Sequence, residues 1–581
     1  MKKLVKSVLA MILAVIMIVP MTACNRDPGL VGGEPVEHSK TQLYVSNFNG
    51  GYGDEWLQKL AARFEEEYKD TSFEKDKMGV QVLVDNAKDG GNAISATISG
   101  SRNQVFFTES VYYYDFVNQG LVADITDIVT EDLGKYGEPG VTIESKFIPQ
   151  QKGFYRTSAG KYFGVPHYSA YYGIMYDVDL FDEKGFYFAA DTSIDANTNP
   201  YNTHVNNKND GFIFEKTDVK SNGPDGKPGT FDDGLPATYD EFFTLCDYIQ
   251  GAGCTPIAWT GEHRQGYVQW FCQALATDFE GAEQMRINYE FNGTATNLVK
   301  SIDNNGKVIY EEPKTITNAN GYEIYKSAGR YHALDFYQRL SSNTAYYHNK
   351  SYNATQSHMM AQQDFLFSSP EAVSPIAMLH EGIWWENEAK DAFADIAAQY
   401  GDEWGRNSRR IGMMPLPKAT KDQIGETFTV LDTHNSLGFI NANCNAQELA
   451  LAKAFLQYAN TDESIVEYTV TTNTPKALVY DLDDEDLAKM SYFGRSVWNI
   501  RENCNVVYPF STNPIFLNNQ QALSYQNMFE SNIGGTIYNQ VADDLRGTRQ
   551  DKKTAKEYFN GIVSRYNATW WNAGFSKWFN D

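Results

Sequence analysis

From Gln42 onward the chain alternates short apolar runs with longer amphipathic ones. QLYVS (42–46) reads as a strand, and NFNGGYGD follows it as a glycine-rich loop. Trp56, Leu60 and Phe64 then recur at i, i+4 and i+8, the stripe of one helix face. VQVLV (80–84) and QVFFT (104–108) predict two further strands, with a helix around SATIS between them. VYYYDFVNQ predicts a helix ended by Gly120. Strands alternating with helices argue for an α/β fold with a mainly parallel sheet.

The pattern continues with interruptions. KYFGVPHYSAYYGIMYDVDLF (161–181) has strand character around Pro166, and residues 186–236, rich in Asn, Asp, Gly and Pro, read as an insertion. Thr238 followed three residues on by Glu241 forms a capping box for a helix running to Gly251, and TPIAWTG (255–261) is a strand entering a loop. Residues 285–325 are polar and Asn-rich, a second excursion, and a helix resumes over Arg330–Leu340. AVSPIAMLHEGIWWENEA (372–389) reads as strand, turn and helix, and RRIGMMPLPK (409–418) as a strand ending in prolines. Asn445 and Glu448 mark another helix start, and the last hundred residues are helical in pattern. No internal repeat is visible.

The N-terminus follows a different logic. Lys2, Lys3 and Lys6 precede an apolar run over residues 7–21, and Thr22-Ala23-Cys24 comes next. A basic start, a short apolar stretch and small residues before a cut mark a secretory signal. The run is shorter than the roughly 20 residues of a stable span. The segment resembles the lipobox of bacterial lipoproteins, in which the cysteine is lipidated and becomes the first mature residue; Met21 stands where Leu is usual. The alternative is an ordinary secretory signal with an incidental Cys24. On the lipoprotein reading residues 1–23 are the signal and residues 24–41 are the lipidated cysteine and a polar tether, about 20 Å in root-mean-square span.

Composition narrows the partners. The chain has 581 residues, enough for two or more domains with sizeable cores. Its formal net charge is −25, and loss of the signal's three lysines takes it to about −28. Such a surface repels phosphate backbones, so nucleic acid is not an expected partner. It offers no basic patch for anionic lipid, so membrane attachment rests on Cys24. The six cysteines match no zinc template. They read as packed free thiols, with Cys246 and Cys254 the two that could pair. The 37 Tyr, 34 Phe and 10 Trp suit sugars, whose C–H faces stack on rings while their hydroxyls need hydrogen bonds.

Five blocks, in this order and spacing, resemble the extracellular solute-binding proteins (family 1 type) of carbohydrate ABC importers, the family that includes maltose-binding protein. They are the opening strand, Gly-rich loop and FEEEY helix; NQGLVADITDIV (118–129); YFGVPHYSAYYGIMYDVDLF; LPATYDEFFTLCDYIQGAGCTPIAWTG; and AMLHEGIWW running through MMPLPK to NSLGFINANCNAQELALAKAFLQYANTDES. The resemblance implies a two-lobed α/β fold, periplasmic-binding-protein-like of the class II type, each lobe a mainly parallel sheet flanked by helices. Crossings are expected near Pro166, Arg409 and Thr472–Pro475. The N-terminal lobe would comprise 42–165 and 409–472, and the C-terminal lobe 166–408 and 473–581. The implied role is capture of a sugar by cleft closure and delivery to the permease of an ABC transporter. That receptor would be a monomer, lipid-anchored on the outer face of a Gram-positive-type cell, with no cofactor required.

Ligands in open α/β sheets sit beyond the carboxyl ends of strands. That places Asn47 and Asn49, with Gly50, after the first strand and Glu109 and Ser110 after QVFFT; turn chemistry and a helix N-terminal acid are the bland alternatives. The resemblance adds the tryptophan of a Gly-x-Trp motif, matched by Gly382-Ile383-Trp384, with Trp385 as the neighbouring choice. It also adds Tyr267 and Trp270, preceded by Trp259 and Glu262; Tyr171 and Tyr172 at the crossing; and His434 and Asn435 in a returning loop. Separately, Asp225, Asp232 and Asp233 in a Gly-rich loop suggest a structural calcium site, though not an EF-hand. Two rival classes stand beside the receptor: a secreted glycoside hydrolase, for which Glu262, Glu381 and Glu386 are candidate acids, and a peptide-binding or adhesion lipoprotein.

Overall fold

The computed structural model describes residues 30–31, 34–87, 90–109, 112–190, 211–213, 219–371, 373–433, 436–524 and 528–580. The signal, Cys24, Ser110, His434, Asn435 and much of the first insertion lie outside them. Nine strands build the two principal sheets. In chain order they are β1 (Thr41–Phe48), β2 (Val80–Ala87), β3 (Val105–Thr108), β4 (Val165–Pro166), β5 (Tyr172–Asp177), β6 (Thr255–Ala258), β7 (Ile376–Gly382), β8 (Ile411–Met414) and β9 (Leu437–Ile440).

The N-terminal lobe holds a five-stranded sheet in the order β2-β1-β3-β9-β4, and the C-terminal lobe a four-stranded sheet in the order β8-β5-β7-β6. β1 runs parallel to both β2 and β3, while β9 runs antiparallel to β3 and β4. In the second sheet β7 is parallel to β6, and β5 is antiparallel to β7 and β8. The reversed strands, β9 and β5, are the first each lobe receives after a crossing. A chain arriving from the other lobe enters at the cleft edge, so its first strand runs against those that finish there.

The apolar pattern accounts for the layers. The helix Glu55–Glu67 buries Trp56, Leu57, Leu60, Ala61 and Phe64, its period-3.6 face, against β1 and β2. At the edge of that face Arg63 donates to Glu467 (3.0 Å) and Ser464 (3.0 Å) of the helix Asp462–Thr472. In the second lobe every residue of β5 and β7 is buried, as expected of a strand covered on both faces.

Three chain segments join the lobes and lie side by side. Residues 167–171 carry the chain out from β4 to β5, residues 432–433 and 436 lie on its return to β9, and residues 473–477 take it out again. They are laced by backbone hydrogen bonds: His167 N to Ser436 O (3.0 Å), Thr433 N to Ala170 O (2.9 Å), Ser169 N to Pro475 O (3.0 Å) and Ala477 N to His167 O (3.1 Å). The return crossing is therefore not near Arg409. β8 pairs with β5, so residues 409–431 belong with the C-terminal lobe. The prolines after β8 end the strand without leaving the lobe, since Lys418 forms a buried ion pair with Asp278 (2.8 Å) of the helix Arg264–Glu290.

Local readings also shift in detail. Between β2 and β3 the chain forms two short 3-10 turns, Gly91–Ala96 and Ile98–Gly100, not one α-helix. Thr238 caps its helix by accepting from Glu241 N (3.2 Å), but the Glu241 carboxylate accepts from Ala237 N (2.8 Å), one residue before the expected partner. Asn445 and Glu448 form the complete reciprocal box. The second excursion has regular structure: the helix Arg264–Glu290 runs into it, and an antiparallel hairpin follows, bracketed by a second antiparallel strand pair. All five described cysteines are free thiols.

Candidate functional site

The two sheets face one another across a cleft of about 640 Å³. β1 ends at it with Phe48 and Gly50, and β3 with Glu109. β7 delivers Trp384 two residues past its end, and the helix Trp385–Glu388 adds Glu388. β5 begins there with Tyr172. The remaining wall comes from Glu262, His263, Gln265 and the first two turns of the helix Arg264–Glu290, which carry Tyr267 and Trp270, and from His358.

The aromatic side chains form one connected surface. The Tyr172 ring stacks on Trp270 with centroids 4.6 Å apart, and meets Trp384 edge-on at 4.9 Å. The register explains the arrangement: Tyr172 pairs with Gly382, which places it beside the strand end that launches Trp384. A Cβ at Gly382 would lie 2.1 Å from the Trp384 ring, so this glycine is the space into which the indole folds back. Gly51, at φ +87°, does the same from the other lobe; a Cβ there would sit 2.4 Å from Trp384 Cδ1 and 2.8 Å from a Glu388 oxygen. The Gly-rich loop after β1 thus rests directly on the tryptophan of the opposite lobe.

Polar groups ring this surface. The Tyr168 hydroxyl donates to Glu109. The Gln362 amide donates to Glu388 (2.7 Å) and to Glu381 (3.2 Å), which lies beneath the cleft and also accepts from its neighbour's backbone at Gly382 N (3.1 Å). Burial raises both carboxyls above the usual carboxylate range, and the negative charge of Glu388 adds to the rise at Glu381. His358 stands 3.7 Å from Glu388, its basicity lowered by burial, and His263 stands 3.8 Å from Glu262.

A family model for bacterial extracellular solute-binding proteins matches residues 60–485. The chain belongs to that family. Comparison with curated proteins gives no match. Among solved structures, this solute-binding protein resembles a chitin oligosaccharide binding protein (TM-score 0.53, 14% identity), with 92% of this chain and 100% of that one covered. It also resembles a protein described under xylan utilization by the thermophile Caldanaerobius polysaccharolyticus (TM-score 0.51, 14% identity), with 90% and 100% covered. At such identities the likeness speaks for the fold. Among the described residues no helix is long and apolar enough to cross a membrane.

Of the residues read from the sequence of this solute-binding protein, Glu109, Glu262, Tyr267, Trp270 and Trp384 line the cleft. Others do not. Tyr171 is fully buried in the hinge; strand alternation turns it away and presents Tyr172 instead. Trp385 is fully buried against Phe365, Phe393 and Phe493, which assigns the cleft to Trp384. Trp259 packs on Tyr347 and Tyr352 in the core. Asn47 is buried and donates to Gly53 O (3.3 Å) and Asn86 (3.3 Å), while Asn49 accepts from Gly53 N (2.7 Å): both shape the loop. His434 and Asn435 lie outside the described residues.

The Asp225 loop turns its carboxylates onto itself. Asp232 accepts from Asp225 N (2.9 Å), Asp233 from Gly229 N (2.8 Å) and Asp225 from Lys227 N (2.7 Å), with Thr230 bridging. Among the described residues no group of three or more Asp, Glu, His or Cys side chains is placed to hold a metal ion. Sequence reasoning missed Glu388, although it stands four residues after Trp384 and shares its helix face. It missed His358, which lies far from any block.

Proposed function

We propose that this solute-binding protein is the extracytoplasmic receptor for a sugar or oligosaccharide, held to the membrane by lipid on Cys24 and serving the permease of an ABC transporter. The observation that carries the reading is the Trp384–Tyr172–Trp270 surface, set between two lobes and edged by carboxylates. Flat rings take the C–H faces of a pyranose, and carboxylates accept from its hydroxyls. The cleft volume lies within the roughly 300–1,000 Å³ of small-ligand sites. The two structural relatives bear names or titles that concern chitin oligosaccharide and xylan, in keeping with a glycan ligand. Closure about the laced hinge would bury the sugar, and the closed form would dock on the permease.

A hydrolase reading has less support. Of the candidate acids, Glu381 has no solvent exposure, and Glu386 is held by Arg406 (2.9 Å), Asn473 (2.9 Å) and Ser491 (3.0 Å). The test is calorimetric titration with a panel of mono- and oligosaccharides, followed by chromatography of the bound sugar after prolonged incubation. Stoichiometric recovery of intact sugar supports the receptor; turnover lost in Glu381→Gln would overturn it.

A further inference from the structure

The charge balance of the cleft is one-sided. Glu109, Glu262 and Glu388 line it, Glu381 lies just beneath, and no Lys or Arg is among the described lining residues. Among the described residues, the basic side chains there are the imidazoles of His263 and His358, and burial lowers the basicity of the latter. A second observation comes from the layer behind Glu388. Gln362, fully buried, spends its amide N–H groups on Glu381 and Glu388, and its Oε1 has no donor among the described residues. Among the described lining residues the negative charges of the carboxylates therefore outnumber the cations, beside neutral donors such as the Gln265 amide.

We infer that the ligand is an amino sugar, a pyranoside carrying a protonated amine directed at Glu388. The inference rests on the sugar-receptor reading and narrows it. When the lobes close, water leaves the carboxylates. An ammonium supplies both the donors and the charge that a neutral hydroxyl lacks, and buried carboxylates left without a counter-charge are costly. Burial raises the affinity of Glu388 for protons, and the negative charge of Glu109 adds to the rise. The Trp270 and Tyr172 faces add attraction for a cation held over them. By the same balance, uronic acids and phosphorylated sugars are excluded.

The test is calorimetric titration of the full chain at near-neutral pH with four disaccharides: chitobiose with both amines free, its di-N-acetyl form, cellobiose and a digalacturonate. We expect the free diamine to bind at least about tenfold more tightly than cellobiose, a difference of ~1.4 kcal/mol, and the uronate not to bind. In Glu388→Gln the ratio of diamine to cellobiose affinity should fall toward one. Equal or tighter binding of cellobiose or the acetylated form by the wild-type protein overturns the amino-sugar inference and leaves the receptor reading standing. Binding of no carbohydrate of any class overturns both.

Discussion

The amine of Lys476 and Nδ1 of His167 lie 2.8 Å apart in the hinge. The two residues belong to different crossings, and the rings of Trp56, Phe107 and Tyr468 surround the amine. Both are fully enclosed. Burial pushes the Lys476 amine down to about 7, and burial together with that amine holds His167 well below the usual imidazole range.

The pair predicts a pH signature. The unfolded chain binds a proton at Lys476 that the folded chain releases between about 7 and 10.5. Stability therefore rises with pH across that window, by up to about 1.4 kcal/mol per unit. Below the ordinary histidine range His167 adds a further loss in the same sense. Unfolding curves of wild type and Lys476→Met across this range should converge at high pH and separate as pH falls, the wild type being weaker. Parallel curves would dismiss the pair as a titrating unit.

Glu388 has the opposite sign. Its carboxyl is raised from 4.5 to about 7 by burial. The folded chain keeps a proton that the unfolded chain has lost, so the contribution is present below 4.5 and fades as pH climbs to about 7. Relative to Glu388→Gln, the unliganded wild type should lose stability over that interval in thermal unfolding. A constant difference between the two would show that Glu388 titrates normally.

The adjacent tryptophans separate binding from stability. Trp384→Ala should weaken sugar affinity by about tenfold or more, ~1.4 kcal/mol, with a modest change in unfolding. Trp385→Ala should cost about 3–5 kcal/mol of stability by emptying the core behind the cleft. Isothermal titration and denaturant unfolding read the two effects, and unchanged affinity in the Trp384 variant would remove stacking from the binding model.

Gly51 tests closure. A side chain there collides with Trp384 and Glu388 and is strained at φ +87°. Gly51→Val should lower affinity by more than about tenfold (~1.4 kcal/mol) and hold the lobes apart, visible as a larger radius of gyration in small-angle scattering with saturating sugar. Wild-type affinity and compaction would show that the loop need not approach.

Asp177 and Arg409 form an ion pair with side-chain exposures of 1% and 0%. Asp177 also accepts from Leu180 N (3.2 Å), capping the next helix. Asp177→Ala strands a buried guanidinium and should cost about 3–5 kcal/mol, read by chemical denaturation. A loss below about 1 kcal/mol would mean that solvent reaches the arginine.

Much of this architecture was legible because the apolar periods are strong: β1, its helix and β3 follow directly from spacing. What escaped depends on partners distant in sequence. Whether Tyr171 or Tyr172 faces the cleft is decided by pairing with β7, some two hundred residues on. Trp384 and Trp385 are equally apolar, and only the fold-back over Gly382 separates them. Trp259 follows a strand end, as a ligand residue should, but the Tyr347–Tyr352 segment covers it. β8 and its prolines look like a hinge in isolation; their pairing with β5 is invisible without the sheet. The Glu388 pair shows a further limit, since its perturbation comes from burial that no spacing records.

The position of β9 has a consequence for biogenesis. It lies between β3 and β4 in the first sheet, yet some 270 residues separate it from the nearer of them in sequence. A chain emerging from the ribosome therefore carries the first sheet with a gap before its edge strand β4 until Leu437–Ile440 appears. By then all four strands of the second sheet have been made. Neither lobe is an early folding unit, and contacts of such long sequence separation form slowly. A protein built this way stays threadable through most of its synthesis, a state that a secretion channel requires and an early-closing domain would deny.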